Sequence, residues 1–358
     1  MSATHRIAVI PGDGIGKEVI PEAVRVINKA AEVSGSFSCT YEYFPWGCEY
    51  YHQTGRMMDE DGLDRLRDFD AIFLGAVGYP GVPDHVSLWG LLIPIRRGFQ
   101  QYVNVRPVKL LEGIESPLRS FSPGDIDFMI VRENNEGEYS EVGGRLYEGT
   151  DREVVMQEAI FTRTGVDRVM KYAFDLAVSR NKKVTSATKS NGIIHSMPFW
   201  DERFAALSSQ YPGVATDQFH IDILAAHFVQ HPDWFDVVVA SNLFGDILSD
   251  LGPAVVGGMG IAAGANLNPE KAFPSMFEPV HGSAPDIAGK GIANPVAAIW
   301  TAQMMVEFLG ETQASEAMMQ AIEHVLAQGT VRTPDLGGTS NTREVTDAIL
   351  HQLETNPG

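Results

Sequence analysis

The stretch that decides the fold lies near the N-terminus and reads Arg6-Ile7-Ala8-Val9-Ile10-Pro11-Gly12-Asp13-Gly14-Ile15-Gly16. An apolar run, Ile7 to Ile10, ends at a glycine-rich segment, and apolar residues then recur at helical spacing from Val19 to Ala30. This order predicts a buried strand, a tight turn that needs glycine for positive φ, and a helix. Further apolar strands, at 71–74, 128–131, 183–187 and 236–241, alternate with helical segments. Such alternation is typical of an α/β protein with a largely parallel sheet.

The glycine-rich turn matches neither of two common nucleotide-binding motifs. A dinucleotide fingerprint needs Gly-x-Gly-x-x-Gly, but Lys17 occupies the last of these positions. A P-loop needs Gly-x-x-x-x-Gly-Lys-Ser/Thr, but Pro11 and Glu18 stand at two of the required positions. The sequence therefore argues against a Rossmann domain and an ATP-dependent kinase, although a nucleotide could still bind nearby through backbone N–H groups.

Length and charge exclude several classes of protein. The chain has 358 residues, with 27 Lys plus Arg against 46 Asp plus Glu, so its formal net charge is −19. Nucleic acids and anionic membranes both require a basic face, so neither is an expected partner. No segment resembles a signal peptide or a membrane span, and the two cysteines, Cys39 and Cys48, cannot form a disulfide framework. We therefore expect a cytoplasmic protein of about two domains.

Two aspartates follow the apolar strand at 236–241, in Asn242-Leu243-Phe244-Gly245-Asp246-Ile247-Leu248-Ser249-Asp250. A helix here would place Asp246 and Asp250 on one face, where like charges repel unless a cation neutralises them. Hard oxygen ligands suit Mg²⁺ or Mn²⁺. Asp222, on a mostly apolar stretch, is a third candidate ligand. The alternative is that these residues are solvated, capping or salt-bridged acids.

Arginines stand out in a chain that is short of cations: Arg96, Arg97, Arg106 and Arg132. A guanidinium group binds carboxylates through paired N–H donors, and Arg132 follows directly from an apolar strand. Ligand sites of open α/β sheets gather at such strand ends, so the arginines and the acidic cluster predict a substrate with two or more carboxylates. Tyr139 and Lys189 are candidate proton-transfer groups. The alternatives are surface ion pairs for the arginines and ordinary packing or surface positions for Tyr139 and Lys189.

Together these motifs resemble the metal-dependent decarboxylating 2-hydroxyacid dehydrogenases, the family of isocitrate, isopropylmalate, D-malate and tartrate dehydrogenases. Its most specific motifs here are Asn104-Val105-Arg106-Pro107, the segment 242–250, and the segment from His281 to Gly291. The resemblance implies the isopropylmalate dehydrogenase-like α/β fold, which is not a Rossmann fold: a long twisted mixed sheet shared by two domains, flanked by helices. It implies a cofactor-binding domain, 1–103 with 257–358, and a domain for substrate, metal and dimerisation, 104–256. The glycine-interrupted, strand-favouring residues at 135–162 predict an extended arm or hairpin. The resemblance implies that the stretch around 140–162 is a protruding β arm that clasps a second subunit.

The resemblance also implies a role for each site residue. Arg96, Arg106 and Arg132 would bind the substrate carboxylates, and Tyr139 and Lys189 would transfer protons. Asp222, Asp246 and Asp250 would bind Mn²⁺ or Mg²⁺, with Asp222 and Lys189 coming from the partner subunit of a homodimer. The adenosine half of the cofactor would lie against the loop formed by His281, Gly282, Ser283, Ala284 and Asp286, with Asn294 at the adenine. K⁺ is a further candidate cofactor.

Two local sequences indicate the cofactor and the substrate. Family members that use NAD carry an acid at the position of Asp286, where it would repel the 2′-phosphate of NADP. The segment from Ser87 to Arg96 lacks the Ser-x-Asn of isocitrate enzymes, and four residues, Ile93 to Arg96, follow Leu92 where isopropylmalate enzymes have three. This spacing is similar to that of the tartrate and D-malate branch. The expected reaction is NAD-dependent oxidation and oxidative β-decarboxylation of a small 2-hydroxy dicarboxylic acid, tartrate or D-malate. The alternatives are 3-isopropylmalate as substrate and, more remotely, a non-catalytic regulatory subunit.

Overall fold

The structure is a computed structural model that describes residues 3–355. Its strands are β1 (Ala3–Gly12), β2 (Phe37–Tyr43), β3 (Ala71–Ala76), β4 (Val103–Lys109), β5 (Asp127–Glu133), β6 (Gly143–Leu146), β7 (Val154–Gln157), β8 (Lys183–Thr188), β9 (Ala215–His220), β10 (Val237–Ala240), β11 (Ala265–Leu267) and β12 (Ser275–Phe277). Its α-helices are α1 (Gly16–Ser34), α2 (Cys48–Thr54), α3 (Gly62–Leu66), α4 (Asp84–Ser87), α5 (Ile93–Gly98), α6 (Arg163–Ser179), α7 (Ser196–Ser208), α8 (Ile221–Gln230), α9 (Asn242–Val255), α10 (Val296–Phe308), α11 (Thr312–Gln328) and α12 (Thr342–Thr355). A π-helical turn, Leu88–Leu92, joins α4 to α5.

The strands form the mixed sheet that the family resemblance implies. Ten strands follow the order β2-β1-β3-β12-β11-β4-β5-β10-β8-β9, and β6 pairs with β7 separately. Most neighbours whose register is known are parallel, and β11 with β12 is antiparallel. The helices lie between these strands in the chain, so the α/β class is confirmed. Among residues 3–355, no helix is both long enough and apolar enough to span a bilayer.

The chain divides into two compact units, each with its own buried residues. Unit 1 contains the residues up to Gln101, Arg106–Ile126 and the residues from Pro253 onward, and unit 2 contains Tyr102–Val105 and Asp127–Gly252. The boundaries expected from the sequence, 1–103 with 257–358 and 104–256, differ mainly at 106–126, which packs within unit 1. There Lys109 pairs with Glu323 at 2.7 Å, and Ser116 donates a hydrogen bond to the carbonyl of Val255 at 2.7 Å. Residues 1, 2 and 356–358, which the expected ranges include, lie outside the described part of the chain.

The turn after β1 in unit 1 requires glycine, as the sequence predicts. Gly12 and Gly14 have φ of 70° and 53°. A Cβ on Gly14 would lie 2.0 Å from the carbonyl oxygen of Ser283, and the backbone N–H of Ile15 donates to that same oxygen at 2.9 Å. The turn therefore fixes the loop that the sequence assigns to the cofactor.

In unit 2, three parallel strands end at the same edge of the sheet, and predicted site residues lie at or after these strand ends. β10 lies between β5 and β8 and is parallel to both, so the carboxyl ends of all three strands point the same way. Arg132 is the next-to-last residue of β5, Lys189 follows β8, and α9 begins two residues after β10 ends. The sequence predicts Arg132 and the acidic cluster of α9 at such a strand end.

The segment 135–162 contains the predicted hairpin. β6 and β7 pair as antiparallel strands, and all eight of their residues are exposed. Apolar side chains are among them: Leu146 is 54% exposed and Val155 is 59% exposed. A two-stranded ribbon with no apolar cover is marginally stable alone, which agrees with a role as an arm that a second chain covers. That role stays a prediction.

Candidate active site

Arg132, Tyr139 and Asp246 meet at the carboxyl edge of unit 2. Arg132 donates from one terminal nitrogen to Asp246 Oδ1, and the Tyr139 hydroxyl donates to Asp246 Oδ2 at 2.6 Å. The guanidinium carbon of Arg132 also lies 5.4 Å from the centre of the Tyr139 ring. The structure thus brings together three residues that the sequence assigned to three different roles.

The start of α9 is shaped to receive Arg132. Asn242 Oδ1 accepts from Arg132 Nη2 at 2.7 Å and from Nε at 3.1 Å. A Cβ on Gly245 would lie 2.6 Å from the Cβ of Arg132, so a larger residue would push the helix away. Asn242 therefore orients the guanidinium, a role that its polar side chain at the start of a helix could have suggested.

Asp246 and Asp250 lie on one face of α9, as predicted. Asp246 has a side chain that is 40% exposed, and Asp250 is exposed. These carboxylates fit the donor preference of a hard divalent cation. Within residues 3–355 of a single chain, no three His, Cys, Asp or Glu side chains gather in a cluster that could hold a metal. One chain thus supplies two of the three predicted ligands together.

Lys189 and Asp222, the two residues expected to act in the partner subunit, pair with each other. Lys189 Nζ donates to Asp222 Oδ1 at 2.7 Å, and the Asp222 side chain is 68% exposed. The hydrogen bond from Lys189 holds the pKa of Asp222 below its ordinary value. A charged Asp222 is the form that a metal ligand needs.

Arg96 and Arg106 share a buried glutamate in unit 1 that the sequence did not reveal. Glu278 accepts from Arg96 Nη2 at 2.6 Å, lies 4.0 Å from Arg106 Nη2 and accepts from Asn266 at 2.9 Å. Burial alone would raise the pKa of Glu278, but the two guanidinium charges and the Asn266 hydrogen bond hold it below its ordinary value. Glu278 thus brings the two guanidinium groups together at one buried carboxylate.

Glu133, next to Arg132, is a second buried acid that the sequence did not reveal. Its side chain is 0% exposed, and it accepts from the backbone N–H groups of Asn135 at 3.0 Å and Glu136 at 2.8 Å. Burial raises the pKa of Glu133 to about 7, although these backbone donors favour the charged form. Glu133 thus fixes the first bend of the segment that leads to Tyr139.

Replacing Glu133 with glutamine should remove a pH-dependent part of the stability. Because the folded pKa lies above the unfolded value of 4.5, this contribution is complete below pH 4.5 and is lost as pH rises through 7. The shift corresponds to at most about 3 to 4 kcal/mol. We expect the free energy of unfolding in urea, measured from mildly acidic to neutral pH, to fall less steeply for the variant than for the wild type. Equal slopes would contradict the raised pKa, and the exposed Glu112→Gln change is the control.

The predicted cofactor residues lie in one loop of unit 1, with Asn294 just beyond it. Asp286 is exposed. Burial lowers the pKa of His281, so this imidazole is neutral at physiological pH. Asn294 is buried and donates to Asp335 at 2.9 Å while accepting from the backbone N–H of Val296 at 3.0 Å. The Asn294 side chain therefore organises the start of α10, and the exposed Asp286 carboxylate is accessible to ribose hydroxyls.

The π-helical turn before Arg96 coincides with the unusual spacing seen in the sequence. The backbone N–H of Ile93 donates to the carbonyl of Leu88, five residues earlier. Such turns are rare and are frequent at functional sites. Leu91 is 0% exposed and belongs to the core of unit 1, while Trp89 contacts Arg97, whose guanidinium carbon lies 4.8 Å from the ring centre. Leu91 is therefore not available as a wall for an apolar substrate group.

Comparisons with known proteins agree with this picture. The family model for isocitrate/isopropylmalate dehydrogenases matches residues 6–349. The chain is 59% identical to the D-malate dehydrogenase [decarboxylating] of Escherichia coli K12, with 98% of each chain covered. It is 58% identical to the tartrate dehydrogenase/decarboxylase of Pseudomonas putida, again with 98% of each covered. Among solved structures, it superposes with a TM-score of 0.86 on isocitrate dehydrogenase from Methylococcus capsulatus, at 34% identity and with 98% and 99% of the two chains covered. This chain therefore belongs to the isocitrate/isopropylmalate dehydrogenase family.

Proposed function

We propose that this protein is an NAD- and divalent-metal-dependent dehydrogenase that oxidises and β-decarboxylates a small 2-hydroxy dicarboxylic acid, with D-malate and tartrate as the preferred substrates. The observation that carries the proposal is the cluster of Arg132, Tyr139 and Asp246, with Asp250 one turn further along α9. The cluster combines the Arg132 guanidinium, which would bind a substrate carboxylate, with the Tyr139 hydroxyl, which would donate a proton. The carboxylates of Asp246 and Asp250 would bind the divalent cation. The relatives named as D-malate and tartrate dehydrogenases support the choice of substrate.

Three arginines would bind substrate carboxylates. In unit 1 these are Arg96 and Arg106, which meet at Glu278. In unit 2, Arg132 would bind a carboxylate through its bidentate guanidinium fork. Because Asn242 and Asp246 already orient Arg132, little side-chain entropy is lost when the substrate arrives.

Two residues would move protons. Lys189 Nζ would take the proton of the C2 hydroxyl as C2 loses its hydride. NAD, held by the loop that contains Asp286, would supply the hydride acceptor. A divalent cation held by Asp246, Asp250 and the partner's Asp222 would lower the pKa of that hydroxyl and draw charge from the carboxylate beside it. The β-keto acid then loses CO₂, and the Tyr139 hydroxyl would give a proton to C3. D-malate would yield pyruvate and CO₂.

This assignment requires a homodimer, since Lys189 and Asp222 would serve the other subunit's site. The exposed apolar hairpin, β6 with β7, supports it. The family's alternative substrate is 3-isopropylmalate, and K⁺ is a candidate activator. A non-catalytic regulatory role is disfavoured, because Asp222, Asp246, Asp250, Tyr139 and Lys189 are all present.

NADH formation tests the proposal directly. The enzyme, with Mn²⁺, K⁺ and NAD, would receive D-malate, L-tartrate, meso-tartrate or 3-isopropylmalate in parallel, with a chelator as control. We expect chelator-sensitive turnover of D-malate or a tartrate, with pyruvate as the product from D-malate. Preference for 3-isopropylmalate would overturn the substrate assignment, and silence with all four would overturn the activity.

Replacing Asp286 with alanine should weaken the discrimination between NAD and NADP. The variant loses an acceptor for the ribose hydroxyls and a charge that repels the 2′-phosphate. We expect the ratio of kcat/KM for NAD to that for NADP to fall by about tenfold or more, equivalent to about 1.4 kcal/mol. The exposed Asp233→Ala change should leave the ratio unchanged, and an unchanged ratio in Asp286→Ala would contradict the assignment.

Deleting Leu92 should convert the π turn to an α-helical turn and shift substrate preference. The deletion leaves three residues after the apolar pair and rotates the preceding turn relative to Arg96. We expect the preference for D-malate over 3-isopropylmalate, expressed as kcat/KM, to fall by about tenfold. Leu92→Ala keeps the residue count and is the control. The same preference in both variants would show that the turn does not select the substrate.

A further inference from the structure

Glu138 lies next to Tyr139 in the chain but bonds to a different part of the protein. Its carboxylate accepts from the Ser241 hydroxyl at 2.9 Å and from the backbone N–H of Leu243 at 3.0 Å. Both oxygens are thus engaged, one by each donor. The proposed reaction gives Glu138 no role. We therefore infer the role of this residue from its two contacts.

The two donors belong to the beginning of α9. The first N–H groups of a helix have no acceptor within the helix, and the Leu243 N–H is one of them. A side-chain oxygen of the preceding residue usually satisfies such a group, but the Ser241 hydroxyl is turned to Glu138 instead. A carboxylate at this end of a helix is also favoured by the helix dipole. Glu138 therefore caps α9 from another segment of the chain.

The same segment is attached to α9 at two further points. Asn242 Nδ2 donates to the carbonyl of Glu136 at 3.0 Å, and the Tyr139 hydroxyl donates to Asp246 at 2.6 Å. Leu243 and Asp246 are three residues apart, about 4.5 Å along the helix axis. Consecutive residues, Glu138 and Tyr139, thus bind successive levels of the helix that carries the predicted metal ligands.

We propose that Glu138 is a positioning residue that holds the Tyr139 hydroxyl in register with Asp246 and Asp250. This inference rests on the proposed function, in which Tyr139 protonates the substrate beside the metal. If the carboxylate is removed, the segment keeps the Asn242 contact but loses its hydrogen bonds from Ser241 and Leu243. The Tyr139 hydroxyl is then less well placed for proton transfer, while Arg96, Arg106 and Arg132 remain able to bind the dicarboxylate.

Kinetics of three variants test the proposal in the full-length enzyme. Glu138→Ala removes both acceptors, Glu138→Gln keeps one, and Glu202→Ala removes an exposed glutamate on α7 as a matched control. With D-malate, NAD and Mn²⁺, we expect Glu138→Ala to lower kcat by about tenfold or more, with KM for D-malate within about twofold of the wild type. The solvent deuterium isotope effect on kcat should rise in Glu138→Ala and be intermediate in Glu138→Gln. Unchanged kcat and isotope effect, or a KM increase without a kcat loss, would overturn the proposal.

Hydrogen exchange of the enzyme without ligands separates this proposal from the proposed function. We expect amide exchange in peptides covering 136–146 and 241–248 to become about tenfold faster in Glu138→Ala, but not in Glu202→Ala. If the wild type turned over none of the dicarboxylates, the proposed function would fail, and faster exchange would still support the attachment of the Tyr139 segment to α9. Unchanged exchange would overturn the attachment even in an active enzyme.

Discussion

Asp246→Asn should lower metal-dependent turnover by about a thousandfold or more. The substitution removes the negative charge with which Asp246 would hold the divalent cation of the proposed reaction. Asp246 would bind the cation, and it also receives hydrogen bonds from Arg132 and Tyr139. The variant keeps the size of the side chain, so the fold should survive. We expect Mn²⁺ affinity, measured by calorimetry, to fall together with kcat.

Two controls make this result specific. Asp233→Asn makes the same chemical change at an exposed position in unit 2 and should leave Mn²⁺ binding and kcat intact. Asp250→Asn alters the second predicted ligand without touching the hydrogen bond from the Tyr139 hydroxyl, and should weaken Mn²⁺ binding as well. Normal Mn²⁺ affinity in both Asp246→Asn and Asp250→Asn would remove α9 from the metal site.

Lys189→Met should strongly slow hydride transfer while preserving substrate binding. The variant has no group to take the C2 hydroxyl proton, so we expect NADH formation in a single turnover to slow by about a thousandfold. Asp222 would lose its ion pair, but its side chain is 68% exposed and water replaces the lost contact. The thermal midpoint of unfolding should therefore change little, and the dissociation constant for D-malate should stay near that of the wild type.

A matched lysine and a mixed dimer sharpen this test. Lys171→Met removes a surface lysine that pairs with Asp175 and should leave NADH formation unchanged. We expect each subunit's Lys189 to act in the other subunit's site. A dimer of one Lys189→Met chain and one Asp246→Asn chain would then have one site in which both residues are intact. Recovery of activity on mixing is therefore expected, whereas normal single-turnover rates in Lys189→Met alone would remove this lysine from the mechanism.

The part of the site that the sequence could predict lies at the carboxyl ends of buried strands. Arg132 lies at the end of one strand, Lys189 directly follows another, and Asp246 lies on the helix that follows a third. Parallel strands bring such ends together. The turn after β1 was predictable because Gly12 and Gly14 closely follow an apolar strand, and glycine adopts positive φ without steric cost.

The contacts that the sequence could not predict join residues with weak local signals. Glu278 binds Arg96 across 182 positions, and it follows β12, which has three residues and no readable periodicity. Glu133 is an acid beside an arginine, which suggests an ion pair, yet its oxygens accept from backbone N–H groups. Residues 106–126 belong to unit 1 because they pack against residues far along the chain. The composition of the segment does not indicate this packing.

If the π turn at Leu88–Leu92 selects the substrate, as we propose, it limits how substrate preference can change over evolutionary time. It accommodates one more residue than an α-helical turn between the same flanking helices. Replacing side chains leaves this count unchanged, so nucleotide substitutions alone preserve the rotation of the turn relative to Arg96. Only the gain or loss of a whole codon alters it. Gain or loss of the turn would therefore take one discrete in-frame event rather than a graded series of point mutations.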